Sequence, residues 1–166
     1  KYPPSETPNI QSFFHMWHGI ESCYKNFVDY CKSTNVKYDY VARFRSDILF
    51  LTDALDENKL SLLKDNELLV PDIYHWKGTN DQFAIMKIET FKTYSQLLSF
   101  INQDVQQEKY FAPEYLLYLY LKKQKLKTKY IDINYHIMRN KNYFRGSNLN
   151  AASNNLPPFN DRLIIK

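Results

Sequence analysis

Arg43, Arg45 and Asp47 occupy alternate positions in an apolar, β-prone run that opens at Tyr38 and continues to Phe50. Alternate residues of an extended strand share a face, so this spacing aims two cations and an anion at one spot. Burying such a group unpaired is costly for each ion. The trio is therefore either a self-neutralised cluster at a strand end or a site that meets a charged ligand. In the second case Asp47 would ligate a hard cation, Mg²⁺ or Mn²⁺, through oxygen, while an arginine grips phosphate in bidentate fashion. A diphosphate travelling with a divalent metal fits both signs.

Other residues able to do chemistry lie further along. Asp81 follows the turn Lys77-Gly78-Thr79-Asn80. It is either an Asx-type turn residue or a general base. Glu114, just after Pro113, is either a helix N-terminal carboxylate favoured by the macrodipole or a general base. His136 and Arg139 project from a late β-prone segment, as structural residues or as a metal ligand and a phosphate contact. Trp76 suits stacking on a sugar face as well as it suits packing. His15 and His18 have a ligand-like spacing, but no Cys or carboxylate completes a zinc set beside them.

These residues need a frame. Phe13, Phe14, Trp17, Ile20, Tyr24, Phe27, Val28 and Cys31 recur at steps of three and four, predicting an amphipathic helix over 8–33, with Thr7 as N-cap and Pro8 in its first turn. The strand over 38–45 follows, then a short extended piece at 48–51 and a small helix near 56–64. Strands are predicted at 68–70, closed by Pro71, and at 82–87, with a helix over 88–102 between Ile88 and Ile101. Pro113 opens a further helix whose run Tyr115 to Leu121 is apolar nearly all round, and so deeply buried. Residues 129–133 and 136–138 are β-prone. Helices alternating with short apolar strands argue for an α/β fold with a mostly parallel sheet flanked by helices. In such sheets ligands bind beyond the carboxyl ends of strands, where Asp47 stands. One domain over 1–139 and an irregular tail over 140–166, rich in Asn and Ser, complete the organisation.

Composition narrows the function. With 166 residues and 44% hydrophobic content the chain can build one core, and three glycines are too few for a P-loop or a GxGxxG turn. Fourteen tyrosines come without a basic stripe or an RNP-like motif, which disfavours nucleic acid as a partner. Cys23 and Cys31 lie roughly 12 Å apart along one helix, too far to bridge. No apolar stretch reaches the length of a membrane span, although peripheral membrane association stays open, and reduced thiols fit a cytoplasmic setting.

The stretch Tyr38-Asp39-Tyr40-Val41-Ala42-Arg43-Phe44-Arg45-Ser46-Asp47, followed by Phe50, resembles the signature of GT-A-like glycosyltransferases of surface-polysaccharide synthesis. In that group an Arg-x-Arg-x-Asp motif replaces the metal-binding Asp-x-Asp. Asn80-Asp81-Gln82-Phe83-Ala84, Pro113-Glu114-Tyr115-Leu116-Leu117 and Ile133 to Arg139 resemble three further segments of the group, in the same order. The resemblance spans residues 10–139. It implies a GT-A-like, Rossmann-like domain that moves a sugar from a nucleotide-sugar donor to a carbohydrate or glycoconjugate acceptor, assisted by Mn²⁺ or Mg²⁺. Asp47 and His136 would hold the metal, Arg43, Arg45 and Arg139 the diphosphate, and Asp81 and Glu114 would serve catalysis. Few residues precede Asp47 and Lys1 is not a Met, so the N-terminal nucleotide-binding strands are expected to be missing from this stretch. A non-catalytic, carbohydrate-associated or scaffold domain, with the trio paired only internally, is the rival expectation.

Overall fold

The computed structural model describes residues 10–51, 57–104 and 112–138. The expected helix start at Thr7 and Pro8, Arg139 and the tail 140–166 lie outside them. The described elements are α1 (Ile10–Thr34), β1 (Tyr40–Phe44), β2 (Ile48–Phe50), α2 (Glu57–Ser61), β3 (Glu67–Pro71), β4 (Phe83–Lys87), α3 (Ile88–Tyr94), α4 (Leu97–Asp104), α5 (Pro113–Lys123), β5 (Lys127–Ile131) and β6 (Tyr135–Ile137). The chain is thus mixed α/β, as its pattern of elements predicts.

The sheet is not mostly parallel. Its strand order is β1-β4-β3-β5, with β1/β4 and β4/β3 antiparallel and β3/β5 parallel. The reason lies in the connections. Residues 72–82 carry β3 into β4 without a helix, and a parallel return needs a long crossover, usually helical. Past β3 the helices come only after β4, so α3, α4 and α5 supply the crossover that makes β5 parallel to β3. A separate antiparallel ribbon pairs β2 with β6.

Period-two alternation divides the sheet between two cores. Leu68, Val70, Ala84 and Met86 face α1, α3, α4 and α5, while Leu69, Phe83 and Ile85 face Leu63 and the ribbon. Both faces of β3 and β4 are therefore covered, which explains why these strands read as continuous apolar runs rather than alternating ones. The helix side is anchored by Trp17, fully buried on α1, whose ring lies 5.3 Å from Tyr94 and 6.3 Å from Phe13.

The single helix expected over 88–102 is broken at Ser95 and Gln96. The Ser95 hydroxyl donates to the Lys92 carbonyl at 2.9 Å and its amide to Phe91, closing α3 from within. That break leaves Tyr94 at the end of α3, under Trp17. On the outer edge of the sheet Lys129 Nζ meets Glu67 Oε2 at 2.8 Å, and the same oxygen accepts the Lys64 amide. Burial pushes the Glu67 carboxyl up, but these donors bring it below its ordinary value.

Trp17 packs on both Phe13 and Tyr94, so Trp17→Ala is expected to cost about 3–5 kcal/mol in urea unfolding. Trp17→Phe should cost less, since it keeps an aromatic ring between Phe13 and Tyr94 while removing an indole N–H that is buried without a hydrogen-bond partner.

Candidate functional site

A cleft of about 1020 Å³ opens between α1, the end of β1, the loop 72–82 and the start of α5. Arg43, Arg45, Asp47, Asp81, Glu114 and Trp76 all line it. Antiparallel pairing makes this convergence possible. Phe44 sits opposite Phe83, and the Arg45 amide donates to the Gln82 carbonyl at 3.1 Å, so the carboxyl end of β1 and the amino end of β4 share one edge of the sheet. Asp47 and Asp81 thus meet although only Asp47 follows a strand end.

Arg45 and Asp47 pair with each other. The strand stops at Phe44, and a turn closed by the Ile48 amide on the Arg45 carbonyl brings Asp47 back. Arg45 Nε and Nη2 donate to the two Asp47 oxygens at 2.8 and 2.7 Å. The shared strand face expected for all three residues therefore holds for Arg43 and Arg45, while Asp47 arrives through a turn. A divalent ion at Asp47 would have to displace Arg45, and among the described residues no three His, Cys, Asp or Glu are grouped as a metal site requires. The donor set does not form a metal site as it stands. His136, the other expected ligand, pairs with Leu49 in the ribbon and does not line the cleft.

Arg43 is the cation left over. Its Nη1 is buried and has no hydrogen-bond partner, and the same is true of the Tyr94 hydroxyl nearby. Burial pushes that phenol up to about 12, with Arg43 pulling it down and Asp81 adding to the rise. An orphaned buried donor on a charged side chain is expensive, roughly 1–3 kcal/mol or more, which is tolerated where a ligand supplies the acceptor.

Asp81 is 6% exposed. Burial raises its pKa, and the charges of Arg43 and Arg45 oppose that rise. Glu114, partly buried at the second position of α5, is pushed up to about 8 by burial and then by the charge of Asp81. Near neutral pH the pair therefore holds a proton. The charges of Arg43 and Arg45 act on Asp81 and that of Asp81 acts on Glu114, so the two carboxyls titrate as a coupled pair.

The loop 72–82 sets this pair. The Asn80 side chain donates to the Ile73 carbonyl at 2.7 Å and the Tyr135 hydroxyl at 2.8 Å, and its oxygen accepts the amides of Gln82 and Phe83. Tyr135 donates on to Gln82 Oε1 at 2.9 Å. The Asn80 amide donates to His75 Nδ1 at 3.2 Å, which leaves the ring proton on Nε2, 3.9 Å from Asp72. Tyr74, Trp76 and Lys77 take positive φ, a strained conformation for such residues. Gly78 then passes against the first turn of α5. A Cβ there would lie 2.0 Å from the Glu114 carbonyl oxygen, and the Thr79 amide donates to that oxygen at 2.9 Å.

Residue types flagged Arg43, Arg45, Asp47, Asp81, Glu114 and Trp76, but not the α1 side of the cleft, Tyr94, or the His75 and Tyr135 that hold the loop. Met16, Gly19 and Cys23 line the cleft from a stripe beside the core stripe of α1. A glycine inside a long helix is the one signal in the sequence that would have exposed it. The chain belongs to the family of the domain of unknown function DUF7796, whose profile matches residues 3–150. No curated protein and no solved structure matches it.

Gly78→Ala should destabilise the protein by about 1–3 kcal/mol in chemical unfolding, because the clash is with backbone that cannot rotate away. Glu114, raised in the folded state, binds a proton there that the unfolded chain has released. Wild-type stability should therefore fall as pH rises from about 4.5 to about 8. Glu114→Gln should flatten that slope in melts taken across the same range.

Proposed function

We propose that this domain is a glycosyltransferase that moves a sugar from a nucleotide-sugar donor to a carbohydrate or glycoconjugate acceptor. The observation that carries the reading is the buried, unpartnered Arg43 Nη1 in a cleft that also holds a proton-sharing carboxyl pair. Arg43 would receive a phosphate oxygen of the donor and stabilise the negative charge that develops as the nucleoside diphosphate departs. Asp81, in its ionised form beside the arginines, would take the acceptor hydroxyl proton as that oxygen forms its bond to the anomeric carbon and the bond to phosphate breaks. Glu114, pushed up to about 8 by burial and Asp81, would donate a hydrogen bond without adding a second negative charge. Trp76, 49% exposed at the rim, offers a face for a sugar. The cleft volume stands at the top of the usual range for small-molecule sites, about 300–1,000 Å³, which suits two substrates.

Metal assistance, implied by the resemblance, would add positive charge at the leaving diphosphate. Asp47 is its nearest candidate ligand by chemistry, but no step here depends on it. The bidentate Arg45–Asp47 pair favours a second reading, a non-catalytic carbohydrate-associated domain in which these residues only hold the β1 turn.

Calorimetric titration with UDP and GDP, with and without Mn²⁺, separates the two. The transferase reading expects nucleotide binding that Arg43→Ala weakens by about tenfold or more without shifting the melting temperature downward. Metal-dependent binding lost in Asp47→Ala would add the metal. No nucleotide binding by wild type would overturn the reading and leave the non-catalytic domain.

A further inference from the structure

The two walls of the cleft differ in chemistry. The α1 side of the cleft has one polar residue, Ser12, near the helix start, and beyond it a stripe of Phe13, Met16, Gly19, Ile20, Cys23 and Phe27. None of the six carries a strong hydrogen-bond donor or acceptor. Gly19 stands out because it lies in the interior of a 25-residue helix, where glycine is destabilising relative to alanine. Packing does not demand it, since a Cβ at Gly19 would meet nothing within 4 Å. The helix thus leaves a gap in its own wall that opens into the cleft.

We infer that this wall receives the apolar aglycone of the acceptor, which is therefore an aryl or alkyl glycoside rather than a free sugar, and that Gly19 sets how large that aglycone can be. The inference rests on the transferase reading for its polar end, where Arg43, Asp81 and Glu114 complement phosphate and hydroxyl groups. A nucleobase is a poor occupant of the α1 wall. Its edge presents donors and acceptors that this stripe would leave unpaired, and such groups are costly to desolvate. A free sugar can lay a C–H face on such a stripe, but the hydroxyls around its edge meet the same difficulty. An aglycone gains from the burial that either of them would lose.

The experiment titrates the whole chain with phenyl and methyl glycosides of glucose, galactose and mannose, and in parallel with UDP and GDP. Wild type should bind at least one phenyl glycoside about tenfold or more tighter than its methyl counterpart. Gly19→Leu should erase that preference while nucleotide affinity and melting temperature hold, and Gly19→Ala, a helix-favouring control for folding, should reduce it less. Nucleotide binding without a phenyl preference in wild type overturns this inference and leaves the transferase reading standing. A phenyl preference that persists in Gly19→Leu overturns the role of Gly19. A phenyl preference lost in Gly19→Leu, with no nucleotide binding, supports the α1 wall and overturns only the transferase.

Discussion

Asp81 is a carboxylate taken out of water, and the rest of the site is arranged around that fact. A lone buried anion would neutralise itself, so its ionisation depends on cations within reach. Arg43 and Arg45 provide them because β1 and β4 run antiparallel, which sets the end of one strand beside the start of the other. Reverse the direction of β1 and the arginines would leave for the far end of the sheet. The charge of Asp81 in turn pushes Glu114 up, and the turn that returns Asp47 to Arg45 prevents two cations from facing one anion. The charges nearly balance, which makes the cleft a site for groups that hydrogen-bond as well as for anions.

Much of this was readable from residue types. The stripe Phe13, Trp17, Ile20 and Tyr24 specified α1, and the apolar run after Pro113 specified a buried α5, of which Leu116, Leu117, Tyr120 and Leu121 are buried. Arg43, Arg45, Asp47, Asp81 and Glu114, picked out for their chemistry from distant parts of the chain, do share one cleft. Strand direction was not readable, since an apolar strand looks the same run either way. The informative detail was the lack of a helix between β3 and β4. The break at Ser95 also escaped periodicity, because Phe91, Leu98 and Ile101 keep helical spacing across it. His136 has suitable chemistry, but ribbon pairing carries it away from the cleft. No helix among the described residues is long and apolar enough to cross a membrane, in keeping with the absence of a spanning stretch in the sequence.

The loop 72–82 shows how a rigid site is made without regular structure. Its backbone hydrogen bonds are met by one asparagine, one histidine and the carbonyl of Glu114, and the cost of three left-handed residues is offset by that network. The same residues that hold the loop also connect it to β6, through Tyr135, and to α5, through Gly78 and Thr79.

The pairing of β1 with β4 also dictates when in folding the cleft can exist. Tyr40 pairs with Lys87, so the strand register closes a long loop, whereas β3 and β4 are neighbours in sequence. Loop closure of that kind is entropically costly and comes after local contacts have formed. The helices and the β3/β4 pair can assemble while Arg43 is still far from Asp81. Anything that bridges α1, β1 and α5 in the finished cleft therefore binds only the completed fold, and by mass action draws the chain through its last step.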